Sequence, residues 1–176
     1  MDISLQGKFD PRLYDDSILE FDRTLEDFYQ QLQNRGLAEN TLLIVGSDHS
    51  LKWTVDRLPL LFHFPASSIS GQVKGNVENL DIAPTILDYL GVEKPGWMSG
   101  MSLLHPDPNP TLVFIAAIPK STKNTDTGKI VYPEPEPPFY QFGRMTVVSC
   151  DRWYRLNLDT LVFDQGKVKH YQGDCG

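Results

Sequence analysis

Residues Thr41–His49 read Thr-Leu-Leu-Ile-Val-Gly-Ser-Asp-His, and this stretch decides the predicted fold. Its apolar and β-branched residues follow one another without alternation, which is typical of a strand buried on both faces. Two small residues and then Asp48 and His49 follow the apolar run. Because open α/β folds bind ligands at the carboxyl ends of their strands, these two side chains are the first candidates for a functional site.

Predicted helices and strands alternate on both sides of this stretch. Apolar residues recur at three- and four-residue steps over Tyr14–Arg35 and predict an amphipathic helix, and Gly36 follows where a C-cap glycine is expected. The other predicted elements are strands at Leu58–Phe64 and Thr111–Ile118 and a helix at Asn79–Leu90. This alternation indicates an α/β domain over residues 1–118, with a partial parallel sheet flanked by helices.

The pattern changes after residue 118. Residues 119–138 are polar and proline-rich, and we expect an extended connection there. Beyond it, short strands separated by turns predict a small antiparallel C-terminal subdomain over residues 139–176. The predicted strands are Met145–Cys150, Trp153–Leu158 and Leu161–Phe163, with Asp164-Gln165-Gly166 as a turn before Lys167–Tyr171.

Composition excludes some classes of partner and leaves others open. The net charge of -7 argues against nucleic acid as the main partner, because phosphate binding needs a basic surface. No apolar run approaches the roughly 20 residues of a membrane-spanning helix, and the first residues lack the features of a signal peptide. Cys150 and Cys175 allow either one disulfide or two free thiols. A zinc site on them is not expected, since no Cys-x-x-Cys pair or His cluster accompanies either residue.

Four segments, in order and at consistent spacing across residues 14–104, resemble the sulfatase family of the alkaline phosphatase superfamily. The first runs from the predicted helix to the Ser-Asp-His sequence and resembles the family's Ser-Asp-His or Ser-Asp-Asn motif. The others are similar to the family's next core strand, its Asp-x-x-Pro-Thr helix and its Gly-x-Ser-Leu sequence. They read Leu58-Pro-Leu-Leu-Phe-His-Phe-Pro65, Asn79-Leu-Asp-Ile-Ala-Pro-Thr-Ile-Leu-Asp-Tyr-Leu-Gly91 and Gly100-Met-Ser-Leu103.

The resemblance implies metal-assisted hydrolysis of a sulfate ester. It places Asp48 and His49 at positions of metal ligands, and two ligands alone hold a divalent ion weakly. The resemblance favours Ca²⁺, whereas the ligand types suit Mg²⁺, Mn²⁺ or Zn²⁺ better, so the identity of the metal stays open. Lys52 and Arg57 follow the pair and are candidates for binding the anionic group of the substrate. A solvated lysine and a structural ion pair of the arginine are the alternatives.

The chain also departs from the sulfatase pattern. The nucleophile motif, Cys or Ser followed by x-Pro-x-Arg, is absent, and Cys150 is followed by Asp-Arg-Trp-Tyr instead. The paired aspartates of the metal site are missing as well, since Asp15-Asp16 lies at the start of a predicted helix. We therefore interpret the chain as the C-terminal portion of a sulfatase and expect it to be inactive alone. The alternatives are a phosphodiesterase or phosphoethanolamine-type transferase of the superfamily, and a non-catalytic remnant or interaction module.

Two further expectations follow from this interpretation. A parallel sheet without its remaining strands would expose an unpaired edge, so we expect self-association. The residues do not indicate a compartment, although full-length relatives are often extracytoplasmic or membrane-associated. Of the isolated histidines, we expect His63 to pack within its apolar strand, while His105 has no partner pattern.

Overall fold

The computed structural model describes residues 11–49, 57–106, 112–117, 122–132, 134–140, 142–169, 171–173 and 175. These residues form two compact units. The described residues up to Val45 and those of Leu60–Ser70 form the first unit, and the described residues of Gly46–Pro59 and from Gly71 onward form the second. Helices and strands are mixed along the chain, which confirms the α/β class. No helix among the described residues is long and apolar enough to span a membrane.

Helix α1, Pro11–Asn34, is the main element of the first unit. It begins three residues before the predicted start, and the Ser17 hydroxyl donates to the Leu13 carbonyl within the helix at 2.7 Å. The predicted C-cap is confirmed at Gly36, which has a φ of +66°. There the Gly36 N–H donates to the Gln33 carbonyl and the Leu37 N–H donates to the Leu32 carbonyl, both at 2.9 Å. These bonds form a Schellman motif that ends the helix.

The apolar face of α1 is only partly buried. Leu25, Tyr29 and Leu32 are half-buried. By contrast, Phe21 is 57% exposed and Phe28 is 47% exposed. The predicted periodicity is therefore present, but within the described residues much of the apolar stripe is open to solvent.

Strand β1, Leu43–Gly46, and strand β2, Leu60–His63, pair in a two-stranded sheet. They correspond to the two apolar stretches predicted around residues 41–47 and 58–64. A parallel arrangement is not confirmed, so the partial parallel sheet stays a prediction. Short 3-10 turns at Ala38–Asn40 and Pro65–Ser67 flank the two strands.

The second unit contains helix α2 and the remaining strands. A 3-10 turn, Asn79–Asp81, leads directly into α2, Ile82–Tyr89. A four-stranded sheet has the order β3-β6-β7-β8, and all of its neighbouring strands are antiparallel, which confirms the predicted C-terminal antiparallel sheet. Its strands are β3 Leu112–Ala117, β6 Arg144–Ser149, β7 Arg152–Asn157 and β8 Phe163–Lys167. Strands β4 Thr122–Lys123 and β5 Ile130–Val131 form a separate short hairpin.

One predicted turn is wrong. Residues Asp164, Gln165 and Gly166 lie inside β8 rather than between two strands. The register places Gly166 opposite Trp153, and a Cβ on this glycine would lie 2.5 Å from the indole ring. The glycine is therefore present to let the ring lie against the strand and does not mark a turn.

The C-terminal residues are fastened to the second unit by a disulfide between Cys150 and Cys175. The thiols are therefore paired, which decides between the two alternatives left open by the sequence. The Asn76 amide donates to the Cys150 carbonyl at 3.1 Å, and the side chains of Gln72 and Gln172 are joined at 3.2 Å. The Val168 N–H also donates to the carbonyl of Asp151, next to Cys150, at 2.8 Å.

Candidate functional site

The backbone directly after β1 is held in place by two hydrogen bonds. The Ser47 hydroxyl donates to the His49 carbonyl at 2.9 Å and closes a tight turn. The Asn79 amide donates to the Ser47 carbonyl at 3.1 Å and ties this turn to the start of the α2 segment. Small Ser47 and the amide of Asn79 thus position the backbone that carries Asp48 and His49.

Asp48 and His49 lie side by side at this tip. The Asp48 Oδ2 and the His49 Nε2 are 3.7 Å apart, and their side chains are 88% and 73% exposed. Two donors at this separation can share one divalent ion, because metal–oxygen and metal–nitrogen bonds are about 2.0–2.2 Å long. A carboxylate oxygen and a neutral imidazole nitrogen also fit the chemistry of Mg²⁺, Mn²⁺ or Zn²⁺. The pair is therefore suitable for a metal in donor type and spacing.

The donor set at the tip is incomplete within the described part of the chain. There, the one group of three close histidine, cysteine or acidic side chains consists of Cys150, Asp151 and Cys175. Because both thiols are consumed by the disulfide, this group does not provide thiolate ligands. Neither Asp48 nor His49 belongs to it.

The remaining sequence candidates are spread over the structure. Lys52 lies outside the described residues, and Arg57 is exposed. His63 is half-buried, as expected for a packed strand residue, and its Nε2 is hydrogen-bonded to the Tyr29 hydroxyl at 2.9 Å. The two rings meet edge to face at a centroid distance of 5.0 Å. His105 lies 3.9 Å from a carboxylate oxygen of Asp88.

A cavity of about 340 Å³ lies in the first unit beside the Tyr29–His63 pair. Its walls are mostly apolar, with two acidic side chains from α1. The lining residues are Asp22, Leu25, Glu26, Tyr29, Leu43, Val45, Leu61, Phe62 and His63. Pocket volumes in this range are typical of small-molecule sites, but neither Asp48, His49 nor Arg57 lines this cavity.

Asp81 has a structural role that sequence reasoning missed. Its side chain is only 2% exposed and accepts hydrogen bonds from two backbone N–H groups. One bond comes from Glu78 at 2.9 Å and the other from Met101 at 2.8 Å. The carboxylate therefore caps the turn before α2 and at the same time holds a loop twenty residues further along the chain.

Thr85 completes this connection one helical turn later. Its side chain is 1% exposed, donates to the Asp81 carbonyl at 2.6 Å and accepts from the Leu103 N–H at 2.9 Å. The Ser102 hydroxyl bonds to a carboxylate oxygen of Asp88 on the same helix. We call Asp81, Thr85 and the loop residues 100–103 the helix–loop clamp. The signal that could have revealed it is the presence of acidic and hydroxyl residues inside an otherwise apolar helix.

Gly100 allows the loop to approach the helix so closely. It has a φ of +83°, and a Cβ at this position would collide with the carbonyl of Leu80. The glycine is thus needed both for its backbone conformation and for the close approach.

Glu78 is the N-cap residue of the same turn and forms a capping box with Asp81. Burial raises the pKa of the Glu78 carboxyl above its ordinary value of 4.5, and the nearby Asp81 carboxylate raises it further. Asp81 itself occupies the N-cap position of α2, which follows this turn directly.

The order of these elements, from the Ser-Asp-His tip to the Asp-x-x-Pro-Thr helix and its loop, is the order expected of a sulfatase-family segment. The comparison with protein families agrees, since the sulfatase model matches residues 10–92. The chain therefore carries a sulfatase-family segment over these residues. Members of this family act on sulfate esters and bind a divalent metal ion.

Known relatives are similar to this chain over about half of its length. The extracellular sulfatase SULF-1 homologue of Drosophila melanogaster is 34% identical over 97 residues, which cover 47% of this chain and 9% of the relative. An N-acetylglucosamine-6-O-sulfatase of Bacteroides thetaiotaomicron is 28% identical over 101 residues, and arylsulfatase K of Bos taurus is 33% identical over 98 residues. Both alignments cover 18% of the relative. The chain thus spans less than a fifth of each relative.

Proposed function

We propose that this chain is the C-terminal part of a sulfatase that hydrolyses sulfate esters with the help of a divalent metal. The observation that carries the proposal is the placement of Asp48 and His49 side by side at the end of β1, inside the region that matches the sulfatase family. A strand end is also where α/β enzymes hold their catalytic groups.

In this proposal Asp48 and His49 hold the metal through a carboxylate oxygen and an imidazole nitrogen. When bound, the metal would withdraw electron density from the sulfate group and offset the charge that develops on its oxygens. Asp48 and His49 would each donate a lone pair to the metal, which requires an unprotonated oxygen on Asp48 and an unprotonated ring nitrogen on His49. Ca²⁺ is favoured by the family, with Mg²⁺, Mn²⁺ and Zn²⁺ as alternatives. Asn79 positions the backbone that carries the two side chains through its bond to the Ser47 carbonyl.

Lys52 and Arg57 are proposed to bind the anionic group of the substrate, since a guanidinium matches a tetrahedral oxyanion well. No Cys or Ser in this chain begins a C/S-x-P-x-R motif. We therefore propose that the 176-residue chain binds metal weakly and does not turn over sulfate esters by itself. Self-association through an unpaired sheet edge is part of the same proposal.

Metal binding can be tested by isothermal titration with Ca²⁺, Mg²⁺, Mn²⁺ and Zn²⁺ at millimolar concentration. We expect weak, saturable binding of at least one ion, which Asp48→Asn and His49→Gln each reduce. Asp27→Asn, a charge change on the exposed face of α1, is the matched control and should bind as the wild type does. Equal binding by wild type and both tip variants would show that the ligand assignment is wrong.

Turnover can be tested with an aryl sulfate and with the corresponding aryl methyl phosphate, a phosphodiester. We expect no hydrolysis of either ester by the wild-type chain. Hydrolysis of the sulfate ester that is abolished by Asp48→Ala would overturn the proposed inactivity. Hydrolysis of the phosphate ester alone would instead favour a phosphodiesterase or transferase of the same superfamily.

A further inference from the structure

Two arginines lie together on one face of the four-stranded sheet. Arg155 of β7 is opposite Thr146 of β6, and Arg144 is opposite Asn157. Because side chains two residues apart on a strand share a face, Arg144, Thr146 and Arg155 all lie on the same side of the sheet. Arg144 and Arg155 are diagonal neighbours across the pair of strands, and such neighbours are about 7–8 Å apart, within reach of long side chains. We call these two residues the arginine pair.

The guanidinium of Arg155 is held in a defined position. Its central carbon lies 4.7 Å from the centre of the Trp153 ring, and its Nε is 3.4 Å from the Thr146 hydroxyl oxygen. The indole ring itself is fixed because it lies against Gly166 of the next strand. Stacking on an aromatic ring and a hydroxyl contact leave the terminal N–H groups of Arg155 as the donors available for a ligand.

The charge of the arginine pair is poorly balanced. Both side chains are half-buried. Burial lowers the pKa of Arg155, Arg144 lowers it further, and Asp164 raises it. Asp164 lies opposite Arg155 on β8, but it is exposed and one of its carboxylate oxygens accepts the Gln165 N–H at 2.9 Å. Across the described residues, no salt bridge joins a carboxylate to either arginine.

We propose that the arginine pair binds a tetrahedral oxyanion, a sulfate or phosphate group, on the face of the four-stranded sheet. Two guanidinium groups on neighbouring strands present planar forks of N–H donors that match the oxygens of such a group. A bound anion would also offset the repulsion between the two partly desolvated cations. The site shares no residue with the tip of β1, so it does not depend on the proposed metal site.

The proposal can be tested by nuclear magnetic resonance on the full chain titrated with sodium sulfate at constant ionic strength. The probe is the indole N–H signal of Trp153, identified by its loss in Trp153→Phe. Trp97, which is 81% exposed, serves as the reference within the same chain. We expect a saturable shift of the Trp153 signal and no saturable shift of the Trp97 signal.

Three charge variants should differ in their affinity for sulfate. Arg144→Gln should weaken sulfate binding about tenfold or more, as expected for the loss of one charge-assisted hydrogen bond. Asp164→Asn should tighten it, because a carboxylate that repels the anion is removed. Arg152→Gln, which changes an exposed arginine on the opposite face of β7, should leave it unchanged. If Arg144→Gln does not fold, the proposal is tested by the other two variants: sulfate must bind more tightly to Asp164→Asn and with unchanged affinity to Arg152→Gln.

A linear, unsaturable shift would overturn the proposal, and so would equal weakening by Arg144→Gln and Arg152→Gln.

A second titration separates the sources of the anion by using methyl glucoside 6-sulfate and unsulfated methyl glucoside. Binding of the sulfated sugar at least as tight as that of inorganic sulfate would assign the site to an esterified group. Binding of inorganic sulfate alone would assign it to the free ion, and no binding of either would contradict the proposal.

Discussion

Replacing Asp81 by asparagine should destabilise the second unit by breaking the helix–loop clamp. The Asp81 carboxylate is 2% exposed and accepts N–H bonds from Glu78 at 2.9 Å and Met101 at 2.8 Å. Asparagine keeps one acceptor oxygen, but its amide nitrogen would face the second N–H group. A hydrogen bond to a charged group contributes about 1.5–3 kcal/mol, and a buried N–H left without an acceptor costs about 1–3 kcal/mol. Since these terms overlap, we expect a loss of about 3 kcal/mol.

Urea unfolding followed by circular dichroism measures this loss. For a slope of about 2 kcal/mol/M, a change of about 3 kcal/mol lowers the midpoint by about 1.5 M. Asp27→Asn on the exposed face of α1 controls for the charge change and should alter stability by less than about 0.5 kcal/mol. Hydrogen exchange of the Met101 amide should also accelerate more in Asp81→Asn than in the control. A midpoint equal to that of Asp27→Asn, with unchanged exchange at Met101, would refute the clamp.

Three other perturbations have defined outcomes. Changing Cys150 and Cys175 to serine removes a disulfide that closes a loop with a sequence separation of 25 residues. The lost constraint on the unfolded chain should lower the free energy of unfolding by about 3.5 kcal/mol, which urea unfolding with and without reductant would measure. The pKa of Glu78 is raised in the folded chain, so ionisation of Glu78 lowers the free energy of unfolding as the pH rises above 4.5. Glu78→Gln should therefore be more stable than the wild type at pH 7. It should lose this advantage below pH 4.5, where the carboxyl is protonated in both the folded and the unfolded chain. An advantage that grows toward acid pH would contradict that sign. Tyr29→Phe removes a half-buried hydroxyl bonded to a histidine ring at 2.9 Å and should cost about 1 kcal/mol, whereas Tyr132→Phe, at an exposed site, should have no measurable effect.

Periodicity predicted the helices and most of the strands, since these depend on local patterns of apolar residues. Helix α1 and its glycine cap were predicted because both signals lie within a few residues of each other. The pairing of strands was harder to predict. Strand β3 follows a helix and is apolar throughout, so its sequence is equally typical of a parallel sheet. In the structure it pairs with β6, more than twenty residues further along the chain, and short-range patterns carry no information about such a partner.

The candidate site was predictable in part. Asp48 and His49 were selected because they follow a strand that the sequence predicts to be buried. In the structure this strand is only half-buried, and the two side chains lie 3.7 Å apart. Their roles as metal ligands stay a prediction. The clamp and the arginine pair were missed, because each depends on residues that meet only after the chain folds. Asp81 and Met101 are twenty residues apart, and Arg144 and Arg155 become neighbours only through the register of β6 and β7.

The helix–loop clamp also has a consequence for where this region can be divided. The match to the sulfatase family ends at residue 92, but the partners of Asp81 and Thr85 lie at Met101 and Leu103. A chain cut at residue 92 would keep a buried carboxylate and a buried hydroxyl and would lose the N–H groups that satisfy them. The smallest piece that can be transplanted or expressed with α2 intact therefore extends at least to Leu104, whose N–H bonds to the Ser102 hydroxyl.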